Sequence, residues 1–402
     1  MNASTGLSRG PIGALSASYT HPRPLDAGAR RHAAGECSSS GAAGACSSSS
    51  NVCGTPAAAA WRPGRRASSG SSGASSGGRR RVRAGAGAGQ APLSVVGQAA
   101  AGKPTVAITG ATGLIGSRLA SKLAAQGHRV RVLTRDVGSA RGKLPYPGLE
   151  FYGPQQWAAA VVGAGAVVNL AGTPIGTRWT PEIKRQIKAS RLDTTTKIAA
   201  AITAAPEGLR PSVFLSSSAV GYYGSSSTGS FTEESPAGRD YLAGVCEQWE
   251  AAAQQVPPGV RVVIVRTGIV LARDGGVLGR MLPMFDLFAG GPLGTGKQWM
   301  SWIHRDDLVD LMVEGIKNPA YVGTYNGTAP KPVTMAQLCT SVGGIMGRPS
   351  WMPVPDYAVS ALLGEGAQVV LEGQRVLPSR TQQQGFRFKY GDIDAALRQL
   401  LR

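Results

Sequence analysis

Three glycines, Gly110, Gly113 and Gly116, stand at a spacing suited to one task, the holding of an anionic diphosphate against bare main chain. A β-rich run at 105–109 leads into them, and an apolar repeat through Leu114, Ile115, Leu119 and Leu123 leads away. The loop Gly110-Ala111-Thr112-Gly113-Leu114-Ile115-Gly116 is therefore read as a strand-to-helix turn. At such a turn the first N–H groups of the helix have no partner within it, and the helix dipole favours negative charge. Glycine lets a pyrophosphate approach the backbone closely. A first strand before and a helix after separate this loop from a chance cluster in a chain of 56 glycines. The second strand ends Leu133-Thr134-Arg135, beneath the expected adenosine ribose. An acid there would take both ribose hydroxyls, whereas an arginine suits a 2′-phosphate. Thr134 and Arg135 thus point to NADP(H) over NAD(H), the other reading being that Arg135 is a solvated strand end.

A second glycine run, Gly291-Pro-Leu-Gly-Thr-Gly296-Lys297, matches most of a nucleotide-triphosphate loop. Gln298 stands where the Mg²⁺-binding Ser or Thr would be, and no first strand precedes it, so triphosphate hydrolysis is not expected.

The elements that must position the first loop repeat along the chain. Runs at 129–134, 149–152, 166–170, 213–216 and 262–266 read as strands. A long helix opens with Thr180 as N-cap and Pro181 at its first position, and another spans 241–255. Near-continuous apolar strands alternating with helices predict an α/β fold, a Rossmann-type doubly wound parallel sheet covered on both faces. Beyond residue 271 the alternation loosens. A Thr334–Gln337 capping box and an amphipathic helix from Asp392 to Leu401 are placed in a small substrate-side lobe over 275–402, with 261–269 and 301–313 returning to the main sheet.

Composition sets the limits. Residues 1–102 are rich in Ala, Gly, Ser and Arg, with eleven arginines against Asp26 and Glu36, so about half of the net charge of +19 belongs to them. An Arg-rich, acid-poor leader of this kind reads as an organelle transit peptide, the other reading being a tail that binds nucleic acid or anionic lipid through Arg79–Arg83. The remaining positive charge is spread over some 300 residues without a dense basic block, so no nucleic-acid partner is expected. Only Cys246 and Cys339 and His128 and His304 fall after the leader, too few for a disulfide framework or a metal site. No apolar run reaches the roughly 18 residues of a membrane span.

Several phrases then carry a resemblance: Asn169-Leu-Ala-Gly-Thr-Pro-Ile175, Arg178-Trp179, Ala189-Ser-Arg191, Ser218-Ala-Val-Gly-Tyr-Tyr-Gly224, Trp249-Glu250, Gly290-Gly-Pro, Ser301-Trp-Ile-His304 and Leu371-Glu-Gly-Gln-Arg-Val376. In order and spacing the chain from about 105 to 400 resembles the short-chain dehydrogenase/reductase superfamily, in its atypical epimerase-family, SulA-like branch. The resemblance implies a Rossmann domain over 103–345 and a small C-terminal domain of unknown function (DUF1731-like) over 346–402. It implies that Gly110, Thr112, Gly113, Leu114, Ile115 and Gly116 hold the pyrophosphate of NADP, with Thr134 and Arg135 on the 2′-phosphate side. Leu170, Ala171 and Gly172 would lie along the cofactor, and Val270 would border the nicotinamide. Arg191 would reach the cofactor with its guanidinium, unless it pairs on the helix surface with Glu182 or Asp193. The leader makes the branch's plastid member the nearest likeness, which implies a chloroplast location, in the stroma or at the stromal face of the inner envelope, and a role in plastid division.

Against the superfamily pattern one feature is missing. Its proton transfer uses a Tyr with a Lys four residues on, which lowers the phenol's pKa, plus a Ser or Thr. Ser217 or Ser218 supplies the hydroxyl, but Tyr241 is followed at the fourth position by Val245, and neither Tyr222 nor Tyr223 has a lysine partner. Two functions remain. One is an NADP-dependent oxidoreductase or epimerase in which Ser218 and Tyr222 polarise a small-molecule substrate. The other is a non-catalytic cofactor-binding protein that acts in plastid division through a protein partner or the envelope surface.

Overall fold

The structure is a computed structural model and describes residues 103–402; the leader expected over 1–102 lies outside the described residues. Seven parallel strands form one sheet: β1 (Val106–Thr109), β2 (Val130–Leu133), β3 (Leu149–Tyr152), β4 (Ala166–Asn169) and β5 (Val213–Ala219) in its first part. A short β6 (Ser230–Phe231) lies outside it, and β7 (Arg261–Thr267) continues it. The seventh strand comes later in the chain, so the order across the sheet is 3-2-1-4-5-7 and then residues Gly323–Gly327 at the edge. In β1 Val106 stands opposite Val130 of β2 on one side and Ala166 of β4 on the other. All four residues of β1 and of β4 are buried, as strands covered on both faces must be.

One face carries α1 (Leu114–Ala125), whose Leu119 and Leu123 are fully buried against Ile108, Val130 and Val168. The other carries α3 (Trp157–Val161), α4 (Pro181–Ala204) and α5 (Tyr241–Ala253), with Ile198, Ile202 and Ala253 set around Val167 and Phe214. A short α2 (Val137–Lys143), capped by Asp136, links β2 to β3. The expected start of α4 is found: the Thr180 side chain accepts from the Ile183 N–H at 3.2 Å, a cap worth about 1 kcal/mol. The strand order reverses between β1 and β4, and the crevice beyond their carboxyl ends is where an open sheet of this type takes its ligand.

The lobe differs from expectation in two ways. Residues 301–313 do not rejoin the main sheet as a strand. Instead β10 (Trp302–His304) pairs with β8 (Ile269–Ala272) in a separate ladder, while α7 (Arg305–Lys317) covers the α1 face of the main sheet. What rejoins the sheet is β11 (Gly323–Gly327), beside β7. Its Gly-Thr-Tyr-Asn-Gly sequence carries one large apolar side chain and so gives no strand signal.

The lobe itself has one core. Leu278 and Phe285 of α6 (Gly276–Asp286) meet Met300 of β9 (Trp299–Met300), Val333 of β12 (Val333–Thr334) and Leu338 of α8 (Met335–Met346), and α12 (Ile393–Leu401) adds Leu397 and Leu400. The capping box at Thr334 is present, with its hydroxyl accepting from Gln337 N and the Gln337 side chain accepting from Thr334 N. Residues 346–402 do not close on themselves. Between α9 (Asp356–Leu363) and α12 they run as α10 (Gln368–Leu371), β13 (Arg375–Val376) and α11 (Ser379–Gln383), and β13 pairs with β6. Of these elements, α12 packs into the core that the chain builds from 269 onward.

Candidate functional site

The glycine loop is shaped by contacts that no side chain could share. Gly110 has φ +68°, and a Cβ on it would stand 2.6 Å from the Leu170 carbonyl oxygen at the end of β4. A Cβ on Gly116 would stand 2.3 Å from the Gly110 carbonyl oxygen, so α1 packs directly on the turn. Gly113 differs: its φ of −84° is ordinary and the nearest atom to a Cβ would be 3.3 Å away. A side chain there would crowd the Gly110 carbonyl, and no side chain caps that end of α1. Turn, open face and close helix packing are the three requirements of a pyrophosphate cradle, in that order.

A cavity of about 500 Å³ continues from this turn. Of the residues singled out in the sequence, Leu114, Ile115, Leu170, Ala171, Gly172, Arg191, Val270 and Ser218 line it. Gly110, Thr112, Gly113 and Gly116 form the turn at its inner end, while Thr134 and Arg135 lie at the end of β2. Thr134 is tied to its own loop, its Oγ1 accepting from Asp136 N at 3.3 Å. Arg135 is exposed and forms no ion pair among the described residues.

Arg191 does not pair with Glu182 or Asp193. Its Nη1 donates to the Ile187 carbonyl at 2.9 Å, and its guanidinium carbon lies 5.3 Å from the centre of the Trp249 ring and close to Gly172. Burial lowers its pKa, yet a guanidinium stays charged at any ordinary pH. Among the described residues it is the one cation in the cavity wall.

Behind the cavity lies a buried polar network. Arg266 donates to both oxygens of Glu250, Nε to Oε1 and Nη2 to Oε2, each at 2.8 Å. Ser218 Oγ donates to the same Oε1 at 2.6 Å, and Arg266 Nη1 donates to the Tyr223 hydroxyl, which in turn donates to Asn326 Oδ1 at 2.7 Å. Burial by itself would lower the pKa of Arg266; its hydrogen bonds to Glu250 and the attraction of that carboxylate outweigh this and leave it raised. Burial pushes the Tyr223 phenol up to about 12, so it keeps its proton and cannot act as a base. Tyr222 is not in the cavity wall: its ring lies 3.3 Å from the Arg266 guanidinium carbon.

The position of the missing lysine is now concrete. Val245 is 3 % exposed and lines the cavity, one helical turn after Tyr241. The Tyr241 hydroxyl donates away from the cavity, to the Lys184 carbonyl, and burial raises its pKa despite nearby Lys184 and Arg191. Ser217 also lines the cavity; its hydroxyl donates to the Ser218 carbonyl at 3.2 Å and lies 3.3 Å from Thr267 Oγ1. Cys246 also lines it, but burial pushes that thiol up to about 11.

Sequence reasoning missed two further contributors. Asn169, quoted above only as the start of a phrase, is fully buried and ties three elements together: Thr109 Oγ1 of β1 donates to its Oδ1 at 2.6 Å, and its Nδ2 donates to Thr195 of α4 at 2.7 Å. Residues 368–374 close the outer side of the cavity, with Gln374 Nε2 donating to the Val220 carbonyl at 2.8 Å. A polar residue at the end of an otherwise apolar strand was the available signal for the first; the second overlaps the Leu371–Val376 phrase, which carried the resemblance but was given no place in the site.

A parallel doubly wound sheet with a glycine turn at its switch point defines a dinucleotide-binding protein of the atypical short-chain dehydrogenase/reductase kind. Residues 106–326 match the NAD dependent epimerase/dehydratase family, and residues 354–400 match a domain of unknown function, DUF1731. The chain belongs to the NAD-dependent epimerase/dehydratase family. It is 53 % identical over 300 residues, 74 % of this chain and 86 % of the other, to the chloroplastic epimerase family protein SDR39U1 homolog of Arabidopsis thaliana. It is similar to the solved structure of human epimerase family protein SDR39U1 (isoform 2) with NADPH, at 35 % identity and a TM-score of 0.68, covering 74 % of this chain and 98 % of that one. A nucleoside-diphosphate sugar epimerase from Corynebacterium glutamicum is also similar, at 33 % identity and a TM-score of 0.59, covering 74 % of this chain and 58 % of that one.

Proposed function

We propose that this chain is an NADP(H)-binding plastid protein that works on a small molecule held beside the nicotinamide, without a Tyr–Lys proton-transfer pair. The glycine turn carries the reading: its main chain is bare where a pyrophosphate would rest, and a cavity runs on from it past Arg191. Gly110, Thr112, Gly113, Leu114, Ile115 and Gly116 hold the pyrophosphate, and Thr134 and Arg135 receive the 2′-phosphate. Leu170, Ala171, Gly172 and Val270 flank the nicotinamide side, and Arg191 meets a negative group of the cofactor. The bound cofactor supplies or accepts a hydride. Ser217, with Ser218 held in place by Glu250, presents hydroxyls to the substrate, and Tyr222 acts indirectly by covering Arg266. NADPH in the human relative and the chloroplastic naming of the Arabidopsis relative support the cofactor and the compartment. A transit-peptide leader over 1–102 accords with that compartment.

The second reading is a cofactor-binding protein without turnover, acting through a partner in plastid division. Val245 in the lysine's place and the outward Tyr241 hydroxyl favour it. Titrating the full chain with NADPH and NADH, followed by nicotinamide fluorescence, tests the cofactor assignment. Saturable binding with NADPH preferred is expected, and absent or equal binding defeats it. Hydride exchange into carbonyl substrates, abolished by combining Ser217→Ala with Ser218→Ala, separates the two readings.

A further inference from the structure

Beyond the nicotinamide side, the cavity wall has its own charge pattern. Val220, Leu242, Trp299 and Val369 make it largely apolar, and its charged residues there are Asp240 and Glu372. These pieces form one surface. Ser226 N donates to the Gly373 carbonyl at 2.9 Å, Gln374 Nε2 donates to the Val220 carbonyl, and Asp240 Oδ2 stands 3.2 Å from where a Cβ on Gly224 would be. Arg191, the cation of the cavity wall, sits at the other end, on α4 against Trp249. The guanidinium of Arg375 stacks over the Trp299 ring at 5.1 Å and is not part of the wall.

A nucleoside diphosphate needs cations or free helix N–H groups for its two phosphates. Among the described residues this side of the wall carries no cation of its own. The longest helix that opens here, α5, has its first turn already capped by a carboxylate: Asp240 Oδ1 accepts from Ala243 N at 2.8 Å. An incoming diphosphate would meet the exposed carboxylates of Asp240 and Glu372, with no cation among the wall residues on that side of the cavity.

We propose that the substrate half of this site takes an uncharged, partly apolar small molecule and excludes nucleoside diphosphates, with Asp240 and Glu372 setting that choice. The proposal rests on the cofactor reading above, which fixes which half of the cavity is left for substrate. It separates this chain from a nucleoside-diphosphate sugar epimerase by the charge of the wall, not by the fold.

The test uses the full chain saturated with NADPH, so that a failure to bind NADPH marks failure of the cofactor reading and is seen first. UDP-glucose, cyclohexanone and benzaldehyde are then titrated at millimolar concentrations, following nicotinamide fluorescence and heat of binding. The wild type should respond to at least one neutral probe and not to UDP-glucose. Replacing both acids, Asp240→Asn with Glu372→Gln, should raise the UDP-glucose affinity by on the order of tenfold, because two like charges are removed. Asparagine retains the helix cap, so the fold is kept. Saturable UDP-glucose binding by the wild type, no gain in the double variant, or silence of both neutral probes would each overturn the proposal.

Discussion

Replacing Glu250 by alanine should cost more than any surface substitution in this chain. The carboxylate is 12 % exposed and its partner Arg266 6 %, and the pair is bidentate at 2.8 Å. Without Glu250, the buried guanidinium keeps the Tyr223 hydroxyl at 3.1 Å, the Glu233 carbonyl at 3.5 Å and the face of Tyr222, none of which carries a negative charge. A buried cation left without its anion destabilises by about 3–5 kcal/mol. Against a total of roughly 5–15 kcal/mol, that is about a fifth of the stability or more. Equilibrium urea unfolding, read by circular dichroism, should show the midpoint fall by more than about 1 M, since slopes run at about 1–3 kcal/mol per molar urea. Pairing Glu250→Leu with Arg266→Met removes both charges, and this double variant should be more stable than Glu250→Ala alone. A loss below about 1 kcal/mol for Glu250→Ala, the range of exposed ion pairs, would refute the argument. So would a double variant as unstable as the sum of its single changes.

Three further outcomes are expected. Gly113→Leu puts bulk before α1 at an ordinary φ, with only a few tenths of an ångström to be given by the Gly110 carbonyl, so the far-ultraviolet spectrum should be kept while NADPH affinity, by fluorescence titration, falls at least about tenfold. Arg135→Ala should lower NADPH affinity by about 10- to 100-fold and leave NADH affinity in place, as loss of a charge-assisted bond of about 1.5–3 kcal/mol requires; parallel titrations check the ratio. Tyr223 has a folded-state pKa raised to about 12 from the ordinary 10.0, so its contribution is present below pH 10 and is lost as pH rises towards 12. Urea unfolding across that window should show a loss on the order of 2 kcal/mol that Tyr223→Phe removes.

Much of the fold was legible in the sequence because its signals are local. The Gly110–Gly116 turn sits between a four-residue apolar strand and a helix whose buried residues recur every three or four positions, and either neighbour alone predicts the other. Thr180 and Thr334 cap the helices they were expected to cap, since a cap depends only on the next three residues, and Asp392, expected as the first residue of its helix, is found as its cap. The site was legible in part. Much of its wall stood out in the sequence, yet Tyr222, close to Ser218 in a conspicuous phrase, faces Arg266 rather than the cavity.

The sequence by itself determined the phosphate turn, the alternation of strands and helices, and the absence of a lysine four residues after Tyr241. Tertiary structure decided what joins residues far apart in the chain. It put the polar strand Gly323–Gly327 at the sheet edge, placed Glu250 against Arg266 and Ser218, and brought residues 368–374 over the cavity mouth. The physical reason is that backbone dihedrals and capping are set within one turn of chain. A buried ion pair or a cavity wall is set by which surfaces meet after folding, and that meeting leaves no period in the sequence.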